Sequence, residues 1–316
     1  MVSTPPVEER ARSFGQRPHI SARSVLVTIF GDSVVPAGGE IWLGDLIELC
    51  APFGFNDRLV RTSMFRLTSE GWFETERIGR RSRYRLTSSA TAEFADAEAR
   101  IYRPWEPATA SDWVMTFLDG QGIASDQLAK LNAALRERGF VPLAPGVMAA
   151  PHGEATAVHR AASDVGLATP PPVAHSRFEM HDPAVTAWLC RSFELEHTAH
   201  SYQEFLSNYR WAEAEGLKLL PNRDAFLLRT MVVHDLRRAR LTDPDLPLDL
   251  LPSHWPAREA IELAGELYAT VTDGAWRFLA SAAGFAEPHT PGPRFSIGPV
   301  DTPPSPRKPP HSLLRG

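Results

Sequence analysis

The stretch Gly54–Leu86, GFNDRLVRTSMFRLTSEGWFETERIGRRSRYRL, decides how this chain is read. Asn56 or Asp57 can open a helix by accepting the backbone N–H groups of its first turn. From there to Glu70, Val60, Met64 and Leu67 recur at i, i+4 and i+7 spacing with Ser63 beside them, which makes one apolar helical face. At 100° per residue, Arg58, Arg61, Thr62, Phe65 and Arg66 project to the other side. Gly71 stops the helix, WFETER alternates as a strand, IGRR turns the chain and SRYRL returns it. Residues 57–85 hold eight arginines and no lysine against Asp57, Glu70, Glu74 and Glu76, a net +4.

A guanidinium forks onto phosphate or onto a guanine edge, where an ammonium makes a point contact. Charge runs are usually solvated faces. Here the charges occupy the free side of a helix whose other side is apolar, and then the tip of a hairpin. A helix for the major groove followed by a basic wing predicts a winged helix-turn-helix. Arg58, Arg61, Thr62 and Arg66 are its candidates for bases and phosphates, and Arg80, Arg81 and Arg83 on the wing are expected to reach phosphate or the minor groove. Phe65 could touch a thymine methyl or pack under the wing, with packing the expectation, and Tyr84 is expected to fill the hairpin core. Leu46, Ile47 and Val60 would hold the recognition helix rather than read DNA.

At 316 residues the chain has room for two or three domains, and its 43% apolar and 22% charged content is ordinary for a soluble protein. Its net charge is −5, so everything outside residues 57–85 carries −9 and the basic character is local. Cys50 and Cys190 are far apart, which favours buried thiols over a disulfide or a metal site. No apolar run reaches a membrane-spanning length and the N-terminus does not read as a signal peptide, so the expected compartment is the cytoplasm.

Outward from the basic stretch, the sequence predicts an α+β multidomain chain. Residues 1–20 are expected to be disordered, with Arg10, Arg12 and Arg17 free to trail along DNA. Residues 21–103 would form the winged helix with an Ala-rich connecting helix from Ser88 to Tyr102. Residues 104–181 run strand, helix, two short strands, helix, strand, the β-α-β-β-α-β order of a ferredoxin-like sandwich. Residues 182–286 are patterned as helices, with a turn-rich connector, TDPDLPLDLLPSHWP, that has four prolines in fifteen residues. The tail from Glu287 has nine prolines in thirty residues and is expected to be disordered.

Read together with these elements, SVLVTIFGD, WLGDLIEL, NDRLVRTSMFRLTSEGW, GRRSRYRLT and RIYRPW in the first part, and HDLRRARLTDPDLPLDLLPSHWP and ELY in the last, resemble the PaaX family of bacterial transcriptional repressors. The resemblance spans roughly residues 20–285. It implies a cytoplasmic homodimer that represses genes of aromatic-acid catabolism from a palindromic operator and is released by an acyl-CoA effector, phenylacetyl-CoA in the best-known case.

Three further clusters need weighing. The HDLRRAR helix carries Arg229, His234, Arg237 and Arg238. A solvated face is the plainer reading of these residues. A groove for the phosphates of a CoA thioester is the alternative that makes them ligand candidates. His234–Asp235 alone does not make the metal dyad of a phosphohydrolase. Glu194, His197, His200 and Glu204 share a helical face, but a di-iron bundle needs a second such element. His152 and His159 have no thiol partners. No metal, cofactor or catalytic residue is expected, and no Walker loop, nucleophile elbow or dinucleotide fingerprint occurs. The rival readings are a metal-dependent hydrolase on the C-terminal helices tethered to DNA, and a ligand-independent DNA-binding protein.

Overall fold

The structure is a computed structural model that describes residues 6–105, 113–119, 122–136, 138–151, 154–177, 183–212, 214–247, 251–285 and 294–295. Residues 1–5, His152 and most of the Pro-rich tail lie outside this set. The chain is α+β, with two small antiparallel sheets among helices.

Residues expected to be disordered at the start form helix α1 (Val7–Gly15), whose Val7, Ala11 and Phe14 are buried. That i, i+4, i+7 stripe is amphipathic, but it is short and flanked by prolines, which hides it in a scan for long elements. Arg10 and Arg17 therefore do not trail free. Arg10 stacks 3.8 Å over Trp211, and Arg17 lies 2.8 Å from the Asp235 carboxylate.

Helix α2 (Ala22–Ile29) opens with a reciprocal Ser21–Ser24 capping box and runs into a π-helical turn, Phe30–Val34. Strand β1 (Glu40–Trp42), helix α3 (Leu43–Cys50) and helix α4 (Asp57–Ser69) follow. Asn56 caps α4 by accepting the Leu59 N–H at 2.9 Å. Gly71, at φ 82°, ends the turn in a conformation that penalises any side chain. Strands β2 (Phe73–Ile78) and β3 (Arg81–Leu86) make the expected hairpin. The short β1 adds a third strand that the hydrophobic pattern did not reveal, pairing Ile41 with Tyr84 and Trp42 with Arg83. Helix α5 (Ser88–Ile101), capped by Thr87, leads away.

The middle of the chain runs β4 (Trp113–Phe117), α6 (Ser125–Arg136), β5 (Val141–Ala144), β6 (Val147–Pro151), α7 (Ala155–Asp164) and β7 (Val173–Ser176), in the predicted element order. The strands lie β5-β6-β4-β7, all antiparallel. Alternation along β4 gives each sheet face a core of its own. Val114 packs with Leu131, Leu135 and Val158 from α6 and α7. Trp113 packs on the opposite face with Leu189 of α8 (Pro183–Ser192) and with Phe193 just beyond it. Helix α8, assigned from sequence to the helical region beginning at 182, thus serves the central sheet.

Helices α9 (Leu195–Tyr209), α10 (Ala214–Leu217), α11 (Asn222–Thr242) and α12 (Ala257–Ala283) complete the chain. The α11 and α12 backbones approach closely where Gly274 faces Ala225, and a Cβ there would lie 2.9 Å from the Ala225 methyl. Their core is continuous with that of α1–α5: Phe30, Leu46, Met64, Phe226, Leu236 and Leu267 belong to one buried cluster. The first and last parts of the chain therefore share a core. No helix among the described residues is long and apolar enough to cross a membrane.

Candidate nucleic-acid interface

Helix α4 separates its two sides as its sequence requires. Val60, Ser63, Met64 and Leu67 are buried, while Arg58, Arg61, Thr62 and Arg66 are exposed. Phe65 departs from expectation. Its ring does not tuck under the hairpin but stands 72% exposed among those arginines. Leu46 and Val60 are buried and Ile47 packs partly against the same cluster, in the supporting role anticipated for them. Tyr84 is half-buried against the core.

The arginines of this surface fall into two groups. Among the described residues, Arg58, Arg66, Arg77 and Arg80 make no ion pair and are exposed, Arg77 donating only to the Gly79 carbonyl at 3.4 Å. The others are already engaged. Arg61 folds back onto Asp57 one turn earlier. Arg81 stacks 4.3 Å over Trp42 and sits 3.6 Å from Asp45. Arg83 bridges Glu40 at 2.8 Å and Glu76 at 2.6 Å, and Arg85 reaches Glu74 at 3.0 Å. These cross-strand pairs tie neighbouring strands together, and they neutralise part of the charge that the sequence alone suggests is free. At the far end of α4, Glu70 takes both guanidinium nitrogens of Arg23 at 2.7 and 2.6 Å, fastening α4 to α2. The hydrogen bonds from Arg23 hold the Glu70 carboxyl below the usual range.

Behind this surface lies the layer where α11 meets α2, α5 and α12. The HDLRRAR residues are here, and they are not a solvated face. Arg229, His234 and Arg237 are buried, and only Arg238 is partly exposed, 4.0 Å from Glu204. Asp32, in the π-helical turn, is the acceptor at its centre. Arg229 Nε lies 2.9 Å from one oxygen. The Tyr102 and Tyr268 hydroxyls donate to the other at 2.7 and 3.0 Å. Arg229 also donates to Ser33 Oγ at 2.9 Å, and its guanidinium faces the Trp276 ring at 4.6 Å. Burial, and then the Asp32 charge, raise both tyrosine hydroxyls well above their ordinary pKa, so each keeps its proton for donation.

The expectation of a disordered tail fails at two residues. Arg294 donates to the Gly31 carbonyl at 2.9 Å, and Phe295 is buried edge-on against Tyr102 and Tyr268. A second centre lies one helix away. Asp235 accepts from Arg17 at 2.8 Å and from Tyr209 at 2.9 Å, with His234 Nδ1 3.5 Å distant. His234 Nε2 is 3.1 Å from Ser24 Oγ, the capping hydroxyl of α2, and Arg237 donates to the Ser24 carbonyl at 3.2 Å. Burial lowers the His234 pKa to about 4, so the ring is neutral at pH 7. A third centre joins Tyr202 to Asp243 at 2.8 Å, and Arg240 to the Arg100 carbonyl at 3.0 Å.

Glu194, His197, His200 and Glu204 do not converge, and no group of three or more His, Cys, Asp or Glu among the described residues is arranged to hold a metal. His159 lies on α7, away from these centres. Cys50 is buried and Cys190 half-buried, both free, and burial pushes the Cys50 thiol up to about 12.

The same two regions carry the similarity to known proteins. The family model described as PaaX-like protein matches residues 21–90, and the PaaX-like protein C-terminal domain matches residues 193–281. The Transcriptional repressor PaaX of Escherichia coli (strain K12) is 34% identical over 271 residues, covering 82% of this chain and 83% of that protein. The chain belongs to the PaaX family. An uncharacterized protein from Mycobacterium tuberculosis shares the fold at TM-score 0.50 and 22% identity, over 83% of this chain and 98% of that one. The Escherichia coli relative is named as a transcriptional repressor.

Proposed function

We propose that this chain is a transcriptional repressor whose α1–α5 region is a winged helix-turn-helix, with α4 in the major groove and the β2–β3 hairpin as the wing. The observation that carries the reading is the two-sided α4. Its apolar side is locked into the core, while Arg58, Arg61, Thr62 and Arg66 share the open side next to Arg80, Arg81 and Arg83 of the hairpin. The family relative named as a transcriptional repressor supports the same assignment. The central β-α-β-β-α-β unit, with strand order β5-β6-β4-β7, reads as ferredoxin-like.

The protein acts as a cytoplasmic homodimer on a palindromic operator that controls aromatic-acid catabolism, with half-sites about one helical turn or a multiple apart. An aryl-acyl-CoA such as phenylacetyl-CoA releases it. Arg229, His234, Arg237 and Arg238 are the ligand candidates on α11. Three of the four are occupied by partners within the chain, so a thioester would engage them by opening the layer rather than by filling a preformed groove. A narrow apolar cleft of about 40 Å³ bordered by Val27, Phe94 and Val233 runs beside Arg237 and is a natural point of entry. Release then follows if the ligand binds the opened arrangement more tightly than the DNA-competent one.

Salt-controlled gel shifts with the chain's own promoter test the DNA assignment. Arg58→Ala and Arg66→Ala should each weaken binding, and unchanged affinity in both removes α4 from the groove. Thermal shift and gel shift against a panel of CoA thioesters test the effector, since a ligand of the folded state must raise its apparent stability. A panel in which no thioester raises the transition and none weakens operator binding ends the effector reading.

A further inference from the structure

The least expected side chain on α4 is Phe65. On the helical wheel it stands near the middle of the exposed face, within 40° of Arg58, Arg61 and Ser69, and directly opposite the buried Val60–Leu67 side. The polar groups around it are turned inward. Thr62 Oγ donates to the Arg58 carbonyl at 2.8 Å, Ser69 Oγ donates to the Phe65 carbonyl at 2.9 Å, and Arg61 is drawn back to Asp57. The ring is therefore the apolar prominence of an otherwise basic and hydroxylated surface, and it is 72% exposed. It is not part of the buried cluster beneath α4.

The floor of a major groove offers one strongly apolar feature, the C5-methyl group of thymine. Resting on the assignment of α4 to that groove, we propose that Phe65 reads a thymine methyl in each operator half-site and so discriminates thymine from cytosine there. The flanking Arg58 and Arg66, unpaired within the described residues, hold the helix at the depth where the ring meets the methyl.

Deoxyuridine pairs as thymine does but lacks the methyl, which permits a clean double substitution. The probe is the shortest footprinted duplex from the chain's own promoter, with each thymine replaced in turn by deoxyuridine. Both the parent protein and Phe65→Ala are titrated in gel shift at fixed salt. Burial of one methyl is worth about fourfold in affinity, or roughly fifteenfold when both half-sites change. The expected result is one thymine per half-site where deoxyuridine weakens the parent by that factor. Phe65→Ala should bind the two duplexes equally while melting at the parent temperature.

The proposal is overturned if Phe65→Ala binds as tightly as the parent, if it keeps full sensitivity to deoxyuridine, or if no thymine is sensitive in the parent. Should the parent bind and Arg58→Ala weaken it in those cases, α4 still reads DNA and only the role of Phe65 is lost. A parent protein that binds no duplex at any salt overturns both.

Discussion

Helices α4 and α11 are both rich in arginine, and in sequence both look like the charged side of an amphipathic helix, yet the fold uses them in opposite ways. On α4, Arg58 and Arg66 face solvent and make no ion pair among the described residues. On α11, Arg229 and Arg237 are buried and committed to groups some two hundred residues away, Asp32, Ser33 and Ser24. An exposed arginine is available to an external phosphate, and its loss leaves the fold intact. A buried one has surrendered its hydration, and its loss strands the partner charge in a poorly solvated interior. Arginine in this protein is thus both an exposed cation on α4, open to an outside polyanion, and the fastening between the first and last parts of the chain.

The contrast breaks most visibly at Arg229. Arg229→Ala should lower stability by about 3–5 kcal/mol, because Asp32 is left buried with two tyrosine donors and no close guanidinium except Arg294. A melting temperature within a degree of the parent would mean that this pair does not hold the layer together. A paired Arg229→Met, Asp32→Asn variant should recover part of the loss, since it removes both buried charges.

His234 tests the same layer through pH. Its folded-state pKa of about 4 lies below the ordinary value near 6.5, so the unfolded chain takes up its proton first. The stability conferred by the neutral ring is complete above about pH 6.5 and is lost as pH falls toward 4, by up to roughly 3 kcal/mol. The groups facing the ring are Ser24, Asp235, Arg237 and Arg238, with Arg17 beyond Asp235. Asp235 contributes in a different window. His234, Arg17 and Tyr209 outweigh its burial and depress its pKa, so its stabilisation fades only below the ordinary aspartate range. Urea titrations across pH 4–7 should therefore show a slope that His234→Asn flattens. An unchanged slope would place the acid sensitivity elsewhere.

On the other side of the contrast, Arg58→Ala should cost about 1–3 kcal/mol of operator binding with no change in melting temperature. A variant that melts lower instead would show that α4 depends on this side chain structurally. The smallest effect is expected at Arg83, whose guanidinium is already held by Glu40 and Glu76. Arg83→Ala should change operator affinity less than twofold and leave the salt dependence nearly unaltered, whereas Arg80→Ala should reduce the salt slope by about one. Equal slopes for the two variants would erase the distinction between free and tethered arginines on the hairpin.

Much of the first region was legible because its signals are local. The Asn56 cap, the i, i+4, i+7 stripe, the Gly71 stop and the alternation of the hairpin each act within a few residues, and the structure reproduces them. Strand β1 was missed because three residues carry too little periodicity; it exists only through its pairing with β3. Helix α1 was missed for a related reason, since its short apolar stripe gains stability only by docking, with Phe14 set edge-on against His234 and Phe53. The expectation that Phe65 would be covered failed because a lone aromatic beside a hairpin has no local sign of which way it turns.

The stretches that carry the family resemblance converge in space in a way that none of them announces. SVLVTIFGD supplies Asp32, RIYRPW supplies Tyr102, and the late ELY supplies Tyr268 to the same carboxylate. By itself the sequence determined the helices and strands, the one basic island in an acidic chain, and the family to which the protein belongs. Backbone periodicity, capping and net charge are properties of neighbouring residues. Only the tertiary structure decided which arginines stay exposed and which are engaged inside, because pairing and desolvation depend on separation through space. No local pattern records that Asp32 and Arg229 end 2.9 Å apart.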